Sequence, residues 1–360
     1  MPAEPVTFLR NLWYCAGPAR ALAHGQMRHQ MLLGEPVLVG RDHGGKAFAM
    51  RDLCPHRGVL LSAGRLAKTA NGSAASEVEC PYHGWRFGTD GGCRAIPSLT
   101  AEQRMEVSRI RVKSYPVEER QGLLWIFMPG EHAATSNEGP PEIPLVGPNA
   151  APGFNEAMVF HCDIDHAVIG LMDPAHGPFV HRAWWWRSPQ SIHEKAKAFH
   201  PSPLGFTMSA HKPSRNSGAY KILGSGDKKT EIAFRLPGLR TEAITVGKHH
   251  VVGLTTVTPV SAEETEVRQY FYWSMPWLSA LKPFFRPFAR QFLDQDRRMV
   301  DLQAEGLKHN PRLMLIDDAD AAGEVVPVEE GMEAADAERP FATRSQARHA
   351  PQNGELTSTP

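Results

Sequence analysis

From Trp13 to about Ile126, short apolar runs alternate with turn-forming breaks. Pro36–Val39 and Leu123–Phe127 are such runs and Arg41-Asp42-His43-Gly44-Gly45 is such a break, a pattern that predicts a small all-β domain. Pro129–Pro152 is rich in Pro, Gly, Asn and Glu, lacks periodicity and predicts an inter-domain linker. The second half mixes periods. Residues 155–166 and 204–275 are strand-like, with two-residue alternation clearest in Val251–Val260 and Glu266–Trp273, whereas 284–308 repeats like a helix. No fixed-period repeat is present. Beyond about Asp317 the chain turns acidic and then polar, with few aromatics, which predicts a flexible tail. The expected class is α+β, with an all-β domain over 8–130, a linker over 131–152, a second domain over 153–318 and a tail over 319–360.

Composition narrows the function classes. A chain of 360 residues suggests about two domains. Lys plus Arg and Asp plus Glu both number 39, so the broad basic footprint of a nucleic-acid binder is missing. Five Cys, an odd count in a chain this long, argue against a disulfide scaffold. The N-terminal residues lack a basic region followed by an apolar run, and no stretch of 18 apolar residues occurs, so neither a signal peptide nor a membrane span is expected. These features predict a soluble protein of the cytoplasm, a reducing compartment.

Two segments carry chemistry. Cys54-Pro55-His56-Arg57-Gly58 and Cys80-Pro81-Tyr82-His83-Gly84-Trp85 each present one Cys and one His. Two thiolates and two imidazoles can close a zinc site or hold a [2Fe–2S] cluster with Cys on one iron and His on the other. Zinc modules usually pair Cys with Cys and His with His along the chain. Here each loop can give one ligand to each of two irons, and the adjacent Pro and Gly suit loops that wrap a cluster and point N–H groups at its sulfurs. Cys15, Cys93 and Cys162 stand outside this frame and are expected to be small buried residues.

The second segment is Asp173-Pro174-Ala175-His176-Gly177-Pro178-Phe179-Val180-His181. Two His five apart would lie about 140° apart on a regular helix, so they share a face only if the chain breaks, as Gly177-Pro178 allows. A facial triad needs a carboxylate besides, from an element packed against this one. In the helix predicted near 288–305, Phe288, Phe292, Asp296, Met299 and Gln303 fall within about 80° of one another, while Asp294 and Asp301 fall opposite. A carboxylate among Phe and Met either binds a cation or pairs with Arg297 or Arg298.

CPHRG followed by CPYHGWRF resembles the cluster motif of the Rieske oxygenases, and the likeness runs through most of residues 10–130, with Trp13-Tyr14, Gly88-Thr89-Asp90-Gly91 and Ile96-Pro97. Lys68–Glu77 departs from it as a longer, polar insertion. Asp173-x-x-His176-x-x-x-x-His181 resembles the mononuclear iron motif of the same family, and Gln295-Asp296 the position of the third ligand. The resemblance implies a β-sandwich whose Cys54, His56, Cys80 and His83 bind the cluster. It implies a helix-grip-like antiparallel sheet with helices, in which His176, His181 and Asp296 bind Fe(II). Asp173 matches the Asp that bridges the two metal sites between subunits of a homotrimer. The Asn that many relatives carry four positions earlier is Ile169 here, so its role does not transfer. His161 and His166 match no family position. The implied activity is that of a terminal oxygenase component acting on a hydrophobic cyclic or aromatic substrate with O₂, by hydroxylation or oxidative demethylation. No dinucleotide or flavin fingerprint occurs (Leu223-Gly224-Ser225-Gly226 lacks a third Gly and a helix), so electrons must come from a separate NAD(P)H-dependent reductase, perhaps through a ferredoxin. A ring-cis-dihydroxylating dioxygenase, a pure electron carrier and a zinc module are the rival readings. Trp184-Trp185-Trp186 reads as packing, and Tyr270–Phe292, for all its amphipathic look, as a buried strand and helix.

Overall fold

The computed structural model describes residues 8–69, 76–100, 102–130, 138–173, 176–181, 198–212, 223 and 226–314. Trp184–Trp186, Gly224-Ser225 and the acidic tail lie outside these residues.

The first half is built of three small antiparallel sheets. β1 (Leu12–Pro18), β11 (Leu123–Met128) and β10 (Val117–Arg120) form one. β2 (Gln26–Leu32), β3 (Glu35–Arg41), β4 (Ala47–Arg51) and β9 (Ser114–Tyr115) form the second. The third consists of β5 (Arg65–Lys68), β6 (Ser76–Glu79), β7 (Arg86–Gly88) and β8 (Cys93–Ala95), and it presents the two Cys/His loops. Lys68 pairs with Ser76, so the two ends of the polar insertion meet at the close of the β5–β6 pairing, and its residues 70–75 lie outside the described residues.

In the second half, β12 (Phe154–Phe160) is the edge of a seven-stranded antiparallel sheet. It is followed by β18 (Thr265–Trp273), β17 (His249–Pro259), β16 (Leu239–Val246), β15 (Lys228–Arg235), β14 (Gly205–His211) and β13 (Phe199–Ser202). One face packs on the first half. Trp13, Cys15, Trp125 and Phe127 share a core with Leu239, Val252, Leu254, Tyr270 and Tyr272. The described part of the predicted linker closes this seam, because Gln121 donates to the carbonyls of Ile143 and Val146 and accepts from Ile143 N–H. On the opposite face Phe206, Phe234, Val257 and Val267 meet α1 (Ile164–Met172) and α3 (Lys282–Leu307). Between these helices in sequence lies the single-turn α2 (Gly177–Val180).

Two expectations need correction. The strand-like stretch 155–166 stops at Phe160, because Asp163 caps a helix by accepting the His166 N–H at 3.0 Å. The face of α3 is rotated from the predicted stripe. Leu293, Asp296 and Val300 are buried, whereas Phe288 and Met299 are 40% and 45% exposed. Asp296 lies within both arcs, so its burial stands although four of the five stripe residues were misplaced or only partly covered.

Candidate metal centres

The two Cys/His loops are geometric twins. Cys54 N–H donates to the Val59 carbonyl and Gly58 N–H to the Cys54 carbonyl. In the same way Cys80 N–H donates to Trp85 and Gly84 N–H to Cys80. Both glycines sit at φ +69°, the left-handed turn that L side chains resist. Cys54 and Cys80 are buried in the core that contains Leu38, Met50 and Phe87, and the two thiols lie in hydrogen-bond contact. The His56 and His83 rings meet at 4.5 Å between centroids on the outer side. The fold therefore sorts ligands by type, thiol with thiol and imidazole with imidazole, although each loop carries one of each.

That sorting separates the two chemistries left open above. A tetrahedral zinc ion at about 2.0–2.3 Å holds all its ligands within about 3.8 Å of each other. Among the described residues, no three of these four bring their donor atoms within 4.8 Å of one another, whereas His176, His181 and Asp296 do. A two-iron core with Cys at one end and His at the other suits the pairwise arrangement. His83 Nδ1 is buried without a hydrogen-bond partner, a bare ligand atom. Backbone N–H groups of His56 and Arg57 point at the Cys54 sulfur, as expected of a cluster cradle. Burial first, and Cys80 alongside, push the Cys54 thiol up to about 11, so ligation must draw the proton off. His56 also stacks on Trp85 at 4.8 Å and 6°, a contact whose one local sign is the Trp beside the second loop.

The second set forms where the chain breaks twice. Asp173 ends α1, with its N–H on the Ile169 carbonyl at 2.9 Å, and His176 and His181 flank α2. Gly177 and Pro178 therefore do not break the chain as expected but start the single turn of α2; the two His stand at its two ends, and the backbone leaves the helix at His181 (φ −92°, ψ 64°). His176 Nε2 and His181 Nε2 lie 3.3 Å apart, and Asp296 Oδ1 is 3.7 and 3.1 Å from them. A triangle with these sides has a circumradius of about 2.0 Å, close to a metal–nitrogen bond of about 2.0–2.1 Å. Two imidazoles and one carboxylate on one side suit iron with open positions.

Neighbouring groups orient the donors. His181 Nδ1–H donates to Gln295 Oε1 at 3.1 Å, which leaves Nε2 as the lone pair facing Asp296. Its ring stacks on Phe292 at 3.7 Å and 14°. Asp173 Oδ2 accepts from His176 N–H at 3.2 Å and lies 3.5 Å from His176 Nδ1. Gln295 and Phe292 as supports of His181 were missed from sequence, because their pairing with a residue more than a hundred positions away has no local signal. Arg297 and Arg298 are engaged elsewhere: Arg297 bridges Asp294 and Asp301, and Arg298 pairs with Asp294. Nor do the other two histidines join the triad, as His166 binds Asp163 and His161 lies against Asp301. Cys15, Cys93 and Cys162 are buried.

Comparison with known proteins matches both halves of the chain. The family model of the Rieske [2Fe-2S] domain matches residues 12–116, and that of the vanillate O-demethylase oxygenase C-terminal domain matches 160–326. Chlorophyllide a oxygenase of Arabidopsis thaliana is 26% identical over 84% of this chain and 54% of its own length. The oxygenase component of dicamba O-demethylase from Stenotrophomonas maltophilia is 34% identical over 49% of each chain. The chain thus spans about half the length of these curated relatives. The crystal structure of dicamba monooxygenase bound to dicamba shares the fold, with a TM-score of 0.66 and 22% identity over 88% of this chain and 95% of that one. Among the described residues no helix is long and apolar enough to cross a membrane. With a cluster-type domain before an oxygenase-type domain, the chain belongs to the Rieske-type non-haem iron oxygenases, the family built on a [2Fe–2S] cluster and a mononuclear iron.

Proposed function

We propose that this chain is the terminal oxygenase component of a multicomponent system, hydroxylating or oxidatively demethylating a hydrophobic cyclic or aromatic compound with O₂. The observation that carries the reading is the co-occurrence of a type-sorted Cys₂His₂ set and a His₂Asp triangle in one chain. Cys54, Cys80, His56 and His83 would hold the cluster, and His176, His181 and Asp296 the iron. When bound, the cluster supplies one electron at a time and the iron supplies dioxygen activation. The protein's part is positional. Gln295 fixes the tautomer of His181, and Asp173 steadies His176 from the backbone side. In a homotrimer, Asp173 would also reach His83 of the partner subunit and shorten the electron path. A separate reductase, with or without a ferredoxin, would feed the cluster in a cytoplasmic, reducing setting.

Asp296→Ala tests the assignment. It should remove the mononuclear iron and turnover while the reduced-cluster electron paramagnetic resonance signal persists. Asp294→Ala and Asp301→Ala should retain about three irons and two sulfides per chain. Retention of the third iron by Asp296→Ala would refute the triad, and zinc without sulfide in the unaltered protein would end the oxygenase reading.

A further inference from the structure

The helix-covered face of the seven-stranded sheet breaks its own alternation. Register places Glu156, Gln269, Thr255 and Arg240 opposite one another in a single rung across β12, β18, β17 and β16. The same face buries Phe206, Phe234, Val257 and Val267, so this rung is polar where the pattern calls for apolar side chains. Glu156, Gln269 and Thr255 are only 8%, 9% and 5% exposed. Buried polar groups ordinarily find partners within the protein. Glu156 has Arg286 at 3.3 Å, and Arg240 has Glu242 at 3.1 Å. No side-chain hydrogen bond joins the Thr255 hydroxyl or the Gln269 amide to another described residue, and neither group is wholly shut off from solvent.

The neighbouring rungs give this one a setting. On one side Phe154, Phe271, Gly253, Glu242 and Ile232 are all half-buried, so the sheet face is open there. Gly253 in the middle of a central strand weakens that strand and puts no side chain on this face, with the Phe271 ring 3.5 Å from where a Cβ would stand; a strand glycine of this kind marks close approach of a ligand or backbone. On the other side Met158, Val267 and Val257 are apolar. Leu293 and Val300, which flank Asp296 on α3, belong to the core built on that apolar side. An open groove of about 460 Å³ runs along the edge strand, lined by Phe154, Asn155, Glu156, Ala157 and Arg286; it lies beside Thr255, Gln269 and Gly253 in the sheet but is not walled by them.

We propose that Thr255 and Gln269 are specificity-determining residues that bind a neutral carbonyl or hydroxyl group on an otherwise apolar substrate, held in a trough floored by Gly253. This rests on the oxygenase reading and names its substrate class. The charge balance favours a neutral ligand. Among the described residues, Arg240 on the rung and Arg286 beside it are already matched by carboxylates, so an anionic substrate would meet Glu156 and Glu242 with neither of these cations free to receive it. Gln offers both a donor and an acceptor, and Thr does likewise, so the pair can receive either end of a neutral hydrogen bond.

The test uses the full chain loaded with iron and cluster, and three probes of similar size: acetophenone, benzoate and ethylbenzene. Their affinities are read by calorimetry or saturation-transfer NMR. Acetophenone should bind at least tenfold tighter than benzoate and about fivefold tighter than ethylbenzene, the worth of about one hydrogen bond. Gln269→Met and Thr255→Val should bring acetophenone down to the level of ethylbenzene, whose own affinity should not change. Gly253→Ala should weaken all three without lowering the melting temperature, since an added Cβ would approach Phe271 no closer than 3.5 Å and Ala costs a strand less than Gly. Tighter binding of benzoate, an unchanged acetophenone-to-ethylbenzene ratio in both polar variants, or no binding of any probe would each overturn the proposal. Iron is counted on the same sample. Iron missing from the triad refutes the oxygenase reading instead, because neither Thr255 nor Gln269 belongs to the donor set.

Discussion

Replacing Gln295 with leucine isolates the contribution of a residue that touches no metal. The His181 side chain is 3% exposed, and its Nδ1–H donates to Gln295 Oε1 at 3.1 Å, so water scarcely reaches the bond. Leucine fills similar volume but accepts nothing. A buried N–H left without an acceptor costs about 1–3 kcal/mol. His181 can escape part of that by moving its proton to Nε2, and that shift spoils the lone pair which faces His176 and Asp296. The loss should therefore fall on metal affinity, by about 10–100-fold, the effect usual for an orienting partner of a ligand histidine. That corresponds to about 1.4–2.7 kcal/mol. Gln295→Glu keeps an acceptor and adds charge, so it should bind at least as tightly as the unaltered protein. Anaerobic competition for Fe(II) against a chromophoric chelator measures both variants without reliance on turnover. Leucine and glutamate variants that lose affinity equally would show that volume or helix packing, not the hydrogen bond, had been disturbed. Unchanged affinity in the leucine variant would refute the reasoning outright.

Three further outcomes follow from the geometry. Gly58→Ala should cost about 1 kcal/mol from its positive φ alone, since an added Cβ meets nothing within 4 Å, whereas Gly84→Ala should cost more because Pro97 Cγ lies at 3.2 Å; equal denaturant midpoints would contradict this. Asp52 is fully buried and accepts from Ser62 N–H at 2.7 Å and Ser62 Oγ at 2.6 Å, with His29 Nδ1 at 2.7 Å, so Asp52→Ala should lose about 2–4 kcal/mol in urea unfolding, and a loss below 1 kcal/mol would show that water replaces the carboxylate. The Asp163 hydrogen bond raises the His166 pKa above 6.5; burial of Asp163 raises its own, but the bonds from His166 outweigh this and lower it below 3.8. The His166 contribution is complete below about pH 6.5 and fades as pH rises through its higher folded value, while that of Asp163 is complete above about pH 4 and fades in acid. His166→Gln should therefore lower the melting temperature more at pH 5.5 than at pH 8.5, and the reverse order would overturn the assignment.

What was legible from sequence had a local cause. The twin Cys/His loops declare themselves because ligand, Pro and left-handed Gly lie within five or six residues of one another. The alternating strands of 251–273 and the late helix follow from period alone, and the helix ends fall within two residues of those expected. Asp296 was placed on the buried side by helical phase, yet the stripe around it was rotated, since phase fixes an arc only when one side of the helix is polar. On α3, apolar residues occur all round, and the packing of Leu293 and Val300 against α1 and the sheet decides which are covered. The capped helix after Cys162 was hidden by a strand-like neighbour, although Asp163 three positions before His166 was its signal. Residues joined only by the fold, such as Gln295 with His181 or Gln269 with Thr255, left no trace in local pattern.

The seam between β1–β11 and the seven-stranded sheet constrains how such a chain can be re-engineered. Trp13 and Trp125 enter the same apolar layer as Tyr270 and Tyr272, and Cys15 Sγ meets Tyr270 Oη at 3.2 Å. Cutting the chain there would strip several aromatic surfaces from each fragment, so neither half is a detachable cassette. A chimera that borrows its electron-accepting half from another oxygenase would need the matching strand pair and its tryptophans to come along. A division of labour between an electron relay and a chemical centre, as proposed above, would here be laid over two halves that share one apolar layer.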